Sequence, residues 1–218
     1  KLKERFGVVE NEHRLLTELG TQGLSHEDID VVVLSHMHFD HAGGLLSEWR
    51  EGEVPKLLFP NAQFAIGAQA WERAQNPHPR DRASFVPVLN EQIQSSGRLH
   101  LIDSDTSELL GPDYRFHLSD GHTPGLLLTE VPTQQGPLVF AADLIPGAPW
   151  VHLPITMGYD RFPEQLIDEK RELLEDLEAR NGWLLFTHDP TVACGQVQRD
   201  SRGRFGLSTT HTQLEKWQ

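Results

Sequence analysis

The sequence predicts an α/β body in which short buried strands alternate with helices and return their ends to one polar site. Short apolar runs, often β-branched, recur along the chain, most of them bounded by Gly, Pro, Asn or Asp. Between them lie segments with helical periodicity, the longest over 163–180. Twelve histidines are many for 218 residues, and several follow directly on a strand-like run. A chain of this length buries a substantial core without splitting, so a single domain over 1–218 is expected.

Taken in order, Phe6, Val9, Leu15, Leu16 and Leu19 fall at a mostly helical spacing that stops at Gly20. Ser25 with Asp28 caps a short turn, and Ile29 to Leu34 form a β-branched run too short for a helix. That run empties into Ser35, His36, Met37, His38, Phe39, Asp40 and His41, with Gly43 and Gly44 behind, where missing side chains let a helix approach. Further strands are expected at 56–59, 63–66, 98–102, 115–118, 126–131 and 138–142, a short helix at 68–74, and a proline-rich surface excursion or substrate-side insertion at 76–87. The long helix has proline near its first turn, Leu166, Ile167, Leu173, Leu174 and Leu177 on one side, and Asn181-Gly182 at its end. A strand over 183–186 then runs into Thr187-His188-Asp189.

Composition narrows the function. With 19 Lys and Arg against 32 Asp and Glu, the net charge is −13, and no local basic patch works against it, so nucleic acid and anionic lipid are not expected partners. Cys194 is the sole cysteine, which excludes an intramolecular disulfide and any zinc site built from several thiolates, and fits a cytoplasmic protein. No apolar run approaches the roughly 18 residues of a membrane span, and no basic-then-apolar leader opens the chain. It begins with Lys1 rather than methionine, which points to a processed, tagged or truncated start.

The strongest signal is the cluster His36, His38, Asp40, His41, an HxHxDH spacing. On a turn after a strand, His36 and His38 can point one way and Asp40 and His41 toward a neighbouring position, so one loop can serve two adjacent cations. Nitrogen and oxygen donors without sulfur suit zinc first and also admit manganese or iron. Four residues cannot saturate two cations, and three more donors sit at strand ends: His122 in Ser119-Asp120-Gly121-His122-Thr123-Pro124-Gly125, Asp143 after Leu138-Val139-Phe140-Ala141-Ala142, and His188 after Leu184-Leu185-Phe186. His211 competes with His188, and Asp120 with Asp143. The remaining histidines, His13, His26, His78, His100 and His117 among them, read as surface or hydrogen-bonded residues, and His152 as pocket wall or surface. Asp120, beside His122, is a candidate acceptor that fixes the imidazole tautomer.

As an ordered set, HMHFDHAGG, DGHTPG, FAADLIPG and LFTHDP resemble the metal motifs of the metallo-β-lactamase-fold hydrolase superfamily. The stretch 153–160 with Glu169-Lys170-Arg171 is similar to the branch containing quorum-quenching lactonases and methyl-parathion-hydrolase-like enzymes. The resemblance implies a four-layer αββα sandwich. Only 35 residues precede His36 and most read as helix, so it also implies that the family's opening strands are missing from this sequence. It implies two divalent cations, zinc first, with His36, His38 and His122 on one, Asp40, His41 and His188 on the other, and Asp143 between them. A hydroxide shared by two such cations, about 3.5 to 4 Å apart, would attack a lactone or ester. Asp40 would orient it or return its proton to the leaving group, and Tyr159 would hydrogen-bond the substrate oxygen. The expected partner is a small-molecule ester or lactone, with homodimer formation implied at family level. Glyoxalase II-like thioester hydrolysis is the alternative, followed by phosphoester or nuclease activity and an inactive metal-binding scaffold.

Overall fold

The computed structural model describes residues 12–214. Helix α1 (Arg14–Thr21) holds the second half of the expected first helix; Phe6 and Val9 lie outside the described residues. Strand β1 (Val31–Leu34) runs into a short helix, α2 (Phe39–Ala42), and β2 (Gln63–Gly67) into α3 (Ala68–Gln75). After α4 (Pro87–Ser95) come β3 (Leu99–Ile102), β4 (Arg115–Ser119), β5 (Leu126–Val131) and β6 (Leu138–Phe140). Helix α5 (Pro163–Ala179), β7 (Trp183–Leu185), β8 (Cys194–Arg199) and β9 (Phe205–His211) complete the order.

Strands β1, β2 and β3 form a parallel three-stranded sheet. The other six follow in sequence order in a mixed sheet, antiparallel except where the α5 crossover makes β6 and β7 parallel. Side-chain alternation along a strand turns these two sheets into four layers. In β2, Phe64 and Ile66 face a cluster with Trp71 of α3 and Leu89 and Ile93 of α4, while Ala65 points the other way and meets Phe116 of β4 and Leu127 of β5. In β5, Leu126 and Leu128 face Leu166, Leu173, Leu174 and Leu177 of α5. The result is helix, sheet, sheet, helix, the αββα arrangement of the metallo-β-lactamase fold.

Some local expectations give way. The apolar stretch 56–59 is no strand: Leu57 makes one isolated bridge with Leu46, because Pro55 and Pro60 flank the segment and cannot donate to a ladder. Apolar residues of the first segment reach the core only in part, with Leu16 and Leu19 packing against the α3–α4 cluster. Leu15 lies 3.5 Å from where a Gly44 side chain would start, so the close helix approach holds at Gly44, while Gly43 has open space. No described helix is long and apolar enough to cross a membrane.

A buried carboxylate ties β5 to the end of α5. Glu130 accepts two hydrogen bonds from Arg180, at 2.7 and 2.9 Å, and pairs with His117 Nε2 at 2.8 Å. The Arg180 contacts outweigh the opposing effect of burial and, with His117, hold the Glu130 carboxyl at about 2. A depressed carboxylate contributes stability that is full above its unfolded value of 4.5 and is lost as pH falls toward 2. Glu130→Gln is therefore expected to cost about 3 kcal/mol at neutral pH and to flatten the acid limb between those values, as read by urea unfolding at stepped pH.

Candidate metal centre

Four chain segments bring their ends to one place because β4, β6 and β7 run in the same direction in the larger sheet, and β1 ends beside them. The two sheets are joined there by a backbone hydrogen bond from Leu127 N–H to Ser35 O, 2.8 Å. His36 leaves β1 fully buried. The turn of α2 then presents Asp40 and His41, and the loops after β4, β6 and β7 present His122, Asp143 and His188. Ala142 holds the left-handed backbone conformation, φ 43°, immediately before Asp143. Such a conformation costs a non-glycine residue about 1 kcal/mol or more and aims the following carboxylate inward. His188 N–H donates to Pro146 O at 2.9 Å, and Asp189 accepts from Ala148 N–H at 2.9 Å, so the Asp143 and His188 loops hold each other.

All seven expected donors come together. His36 Nε2 lies 3.0 Å from His38 Nδ1, and His122 Nε2 lies 3.4 Å from the same atom. Asp143 Oδ1 is 3.2 Å from both His41 Nε2 and His188 Nε2, and its Oδ2 is 3.2 Å from His122 Nε2. Asp40 Oδ2 stands 3.7 Å from His41 Nε2 and 3.8 Å from His188 Nε2. Three groups of donor atoms, His36–His38–His122, His36–His41–Asp143 and Asp40–His41–His188, each fit within 4.8 Å, a separation one cation can bridge. Asp143 Oδ1 is buried and makes no aligned hydrogen bond despite its two close nitrogens. Nitrogens and carboxylate oxygens crowded this closely toward one point, one of them buried without an aligned donor, are what a cation demands, so these residues fit divalent metal ions.

Electrostatics agree with that chemistry. Burial, reinforced by neighbouring histidines, pushes the His36 imidazole well below its usual range and His38 to about 3, so both are neutral at pH 7, the form that binds metal. Burial alone would raise Asp143, but the close approach of His188 and His41 outweighs it and holds the carboxyl far below the ordinary carboxylate range. Two of the outward-facing nitrogens have partners: Ser35 Oγ lies 3.1 Å from His36 Nδ1, and Asp160 Oδ1 lies 2.9 Å from His122 Nδ1, whereas His38 Nε2 is buried without one.

That last contact corrects one expectation. Asp120, adjacent in sequence, does not orient His122; its Oδ1 accepts from Gly125 N–H at 2.7 Å and closes its own turn. The buried acceptor is Asp160, whose other oxygen takes the Met157 N–H at 2.6 Å. It lies in a segment stitched to the His122 loop, with Arg161 N–H donating to His122 O and Phe162 N–H to Gly121 O. Asp160→Asn is expected to weaken zinc binding about 10- to 100-fold, measured by competition with a chromogenic chelator.

Tyr159 stands at the rim, 58% exposed, its ring centroid 6.0 Å from that of His122. Partial burial, with Asp143, Asp160 and Asp40 nearby, raises its hydroxyl, which stays a donor at neutral pH. His152 is exposed. His211 sits on β9 beside Trp183, away from the cluster, whereas His188 is within it. Phe85 was not singled out in sequence, yet it bridges the His38 backbone and packs its ring 5.2 Å from the imidazole, so the 76–87 excursion closes over the site.

The family model for the metallo-beta-lactamase superfamily matches residues 7–188. The chain belongs to this superfamily. Among curated metallo-β-lactamase relatives, an N-acyl homoserine lactonase of Bacillus cereus is 28% identical over 128 residues, 59% of this chain and 43% of its own length. A second, from a Bacillus species, is 27% identical over 133 residues, 61% of this chain and 45% of its own. This chain thus spans less than half the length of these relatives. A probable metal-dependent hydrolase from Staphylococcus aureus superposes with a TM-score of 0.80 at 26% identity, over 96% of this chain and 73% of its own. AidC, a dizinc quorum-quenching lactonase in complex with a product, superposes with a TM-score of 0.71 at 25% identity, over 89% of this chain and 68% of its own.

Proposed function

We propose that this protein is a dinuclear metal-dependent hydrolase of lactones or carboxylic esters. The observation that carries the reading is the pair of adjacent donor sets, His36–His38–His122 and Asp40–His41–His188, with Asp143 reaching both. Named relatives that act on N-acyl homoserine lactones support the substrate class. Two divalent ions held there would supply Lewis acidity toward the substrate carbonyl and a nucleophilic water at neutral pH. Zinc is the first choice, since the donor set contains only imidazole and carboxylate and a similar solved lactonase is dizinc.

The protein's own groups divide the remaining work. Asp40 is partly exposed, with Oδ2 facing His41 and His188, and is placed to orient the attacking water and to return a proton to the leaving alkoxide. Tyr159 holds its hydroxyl at the rim and donates to the substrate oxygen. Asp160 fixes His122 in one tautomer, with Nδ1 protonated and Nε2 free to face the centre.

The test is turnover of acyl-homoserine lactones and aryl esters by zinc-reconstituted protein, beside a glutathione thioester. Hydrolysis of the first two, reduced by about three orders of magnitude in His38→Ala, is expected. Inertness toward lactones and esters alike, or activity that survives His38→Ala, overturns the reading, and preference for the thioester moves it to the glyoxalase II type.

A further inference from the structure

Two adjacent residues of α5 touch none of the seven donors, yet their hydrogen bonds converge on one of them. Glu169 reaches back to the loop that carries His122: its carboxylate accepts from Ser119 Oγ at 2.6 Å, from Asp120 N–H at 3.0 Å and from Gly121 N–H at 3.0 Å. Lys170 points the other way and is wholly buried. Its ammonium donates to the carbonyls of Trp150, His152 and Ile155, at 2.9, 3.2 and 2.8 Å, fixing the segment that leads into Met157 and Asp160. A buried ammonium is costly unless all its protons are used, and here each of the three has a carbonyl. Gly121 supplies the tight contact between the two: a Cβ there would lie 2.4 Å from Leu166 Cα, so the loop rests directly on the backbone of α5.

From this geometry we infer that Glu169 and Lys170 are paired positioning residues for His122. The carboxylate holds the loop that presents the imidazole, and the ammonium holds the segment that presents its acceptor, Asp160. The inference rests on the metal reading of the cluster. Its consequence is selective: loss of either residue loosens the His36–His38–His122 group first, because no hydrogen bond of Glu169 or Lys170 ends on the α2 turn or the His188 loop, and Lys170 meets the latter only through the Ala148–Val151 turn whose Trp150 carbonyl it holds.

Zinc titration against a chelator, with thermal unfolding of the metal-free protein alongside, tests this in wild type, Glu169→Gln, Lys170→Met and Leu174→Ala. Glu169→Gln replaces one acceptor oxygen by an NH2 that faces donors, with little change in volume. Leu174 is a fully buried core residue of the same helix, so its truncation reports plain destabilisation. Expected are two zinc ions in wild type, about tenfold or greater weakening of one of them in Glu169→Gln and Lys170→Met, and unchanged affinities in Leu174→Ala despite a lower Tm. Should Lys170→Met fail to fold, Glu169→Gln carries the test alone. If the α5 variants lower Tm as Leu174→Ala does and keep both affinities, the positioning role is wrong. A wild-type protein that binds no zinc instead overturns the metal reading itself.

Discussion

Asp143→Asn is expected to cut kcat/KM by about three orders of magnitude and to leave the chain unable to retain two zinc ions through a desalting column. Of the two carboxylates among the seven donors, only Asp143 approaches histidines of both groups, with Oδ1 3.2 Å from His41 and His188 and Oδ2 3.2 Å from His122. Asparagine keeps the shape of the side chain. It removes the negative charge, however, and turns one inward-facing oxygen into a donor that no cation will accept. Unlike His36 and His38, Asp143 is charged throughout the neutral range, because the close approach of His188 and His41 more than offsets its burial. The variant therefore removes a full charge from the centre at pH 7. Measured zinc content and turnover decide the matter together: two tightly held ions with turnover within tenfold of wild type would show that Asp143 does not join the two groups.

The parts of this site that were legible in sequence share one property: each donor follows a buried strand within a few residues. His36, Asp143 and His188 are announced by the apolar runs before them, and the HxHxDH spacing supplies the rest of the first loop. Asp160 gave no such signal. Its link to His122 spans 38 positions and exists only because the segment before α5 folds back over the His122 loop. Asp120 misled for the opposite reason, since adjacency in sequence says nothing about direction, and a short carboxylate before glycine satisfies its own turn first.

Helix α4 was hidden by its first residue. Pro87 sits at the start of the helix, where its missing N–H costs nothing, but after two nearby prolines it reads as more of the same loop. Strands β8 and β9 were also passed over as named elements. Their outer positions are polar, Gln196, Gln198, Ser208 and Thr210 among them, so no continuous apolar run marks them, and it is pairing, of β8 with β7 and of β9 with β8, that makes them strands.

Gly125→Ala should be among the most destabilising single changes in the chain, costing about 3 kcal/mol or more and lowering Tm by about 10 °C. Two independent penalties combine. The residue has φ 77°, which an alanine tolerates poorly, and a Cβ there would lie 2.3 Å from Ala70 N and 2.7 Å from Gln69 Cβ. Neither obstacle can step aside, because Ala70 N belongs to the first turn of α3 and Gly67 is itself pressed against Gly125 O, leaving 2.6 Å where its own Cβ would be. This is where the turn that carries His122 meets the end of β2 from the other sheet, so relief of the clash moves the two halves apart beside the metal centre. Gly43→Ala provides the contrast, since its backbone is right-handed helical at φ −62° and the added methyl meets nothing within 4 Å. That variant is expected to stay within about 0.5 kcal/mol of wild type or to gain slightly from a stiffer unfolded chain. If calorimetry finds the two glycines equally tolerant, close backbone approach at Gly125 is not what sets the distance between the His122 loop and the first sheet.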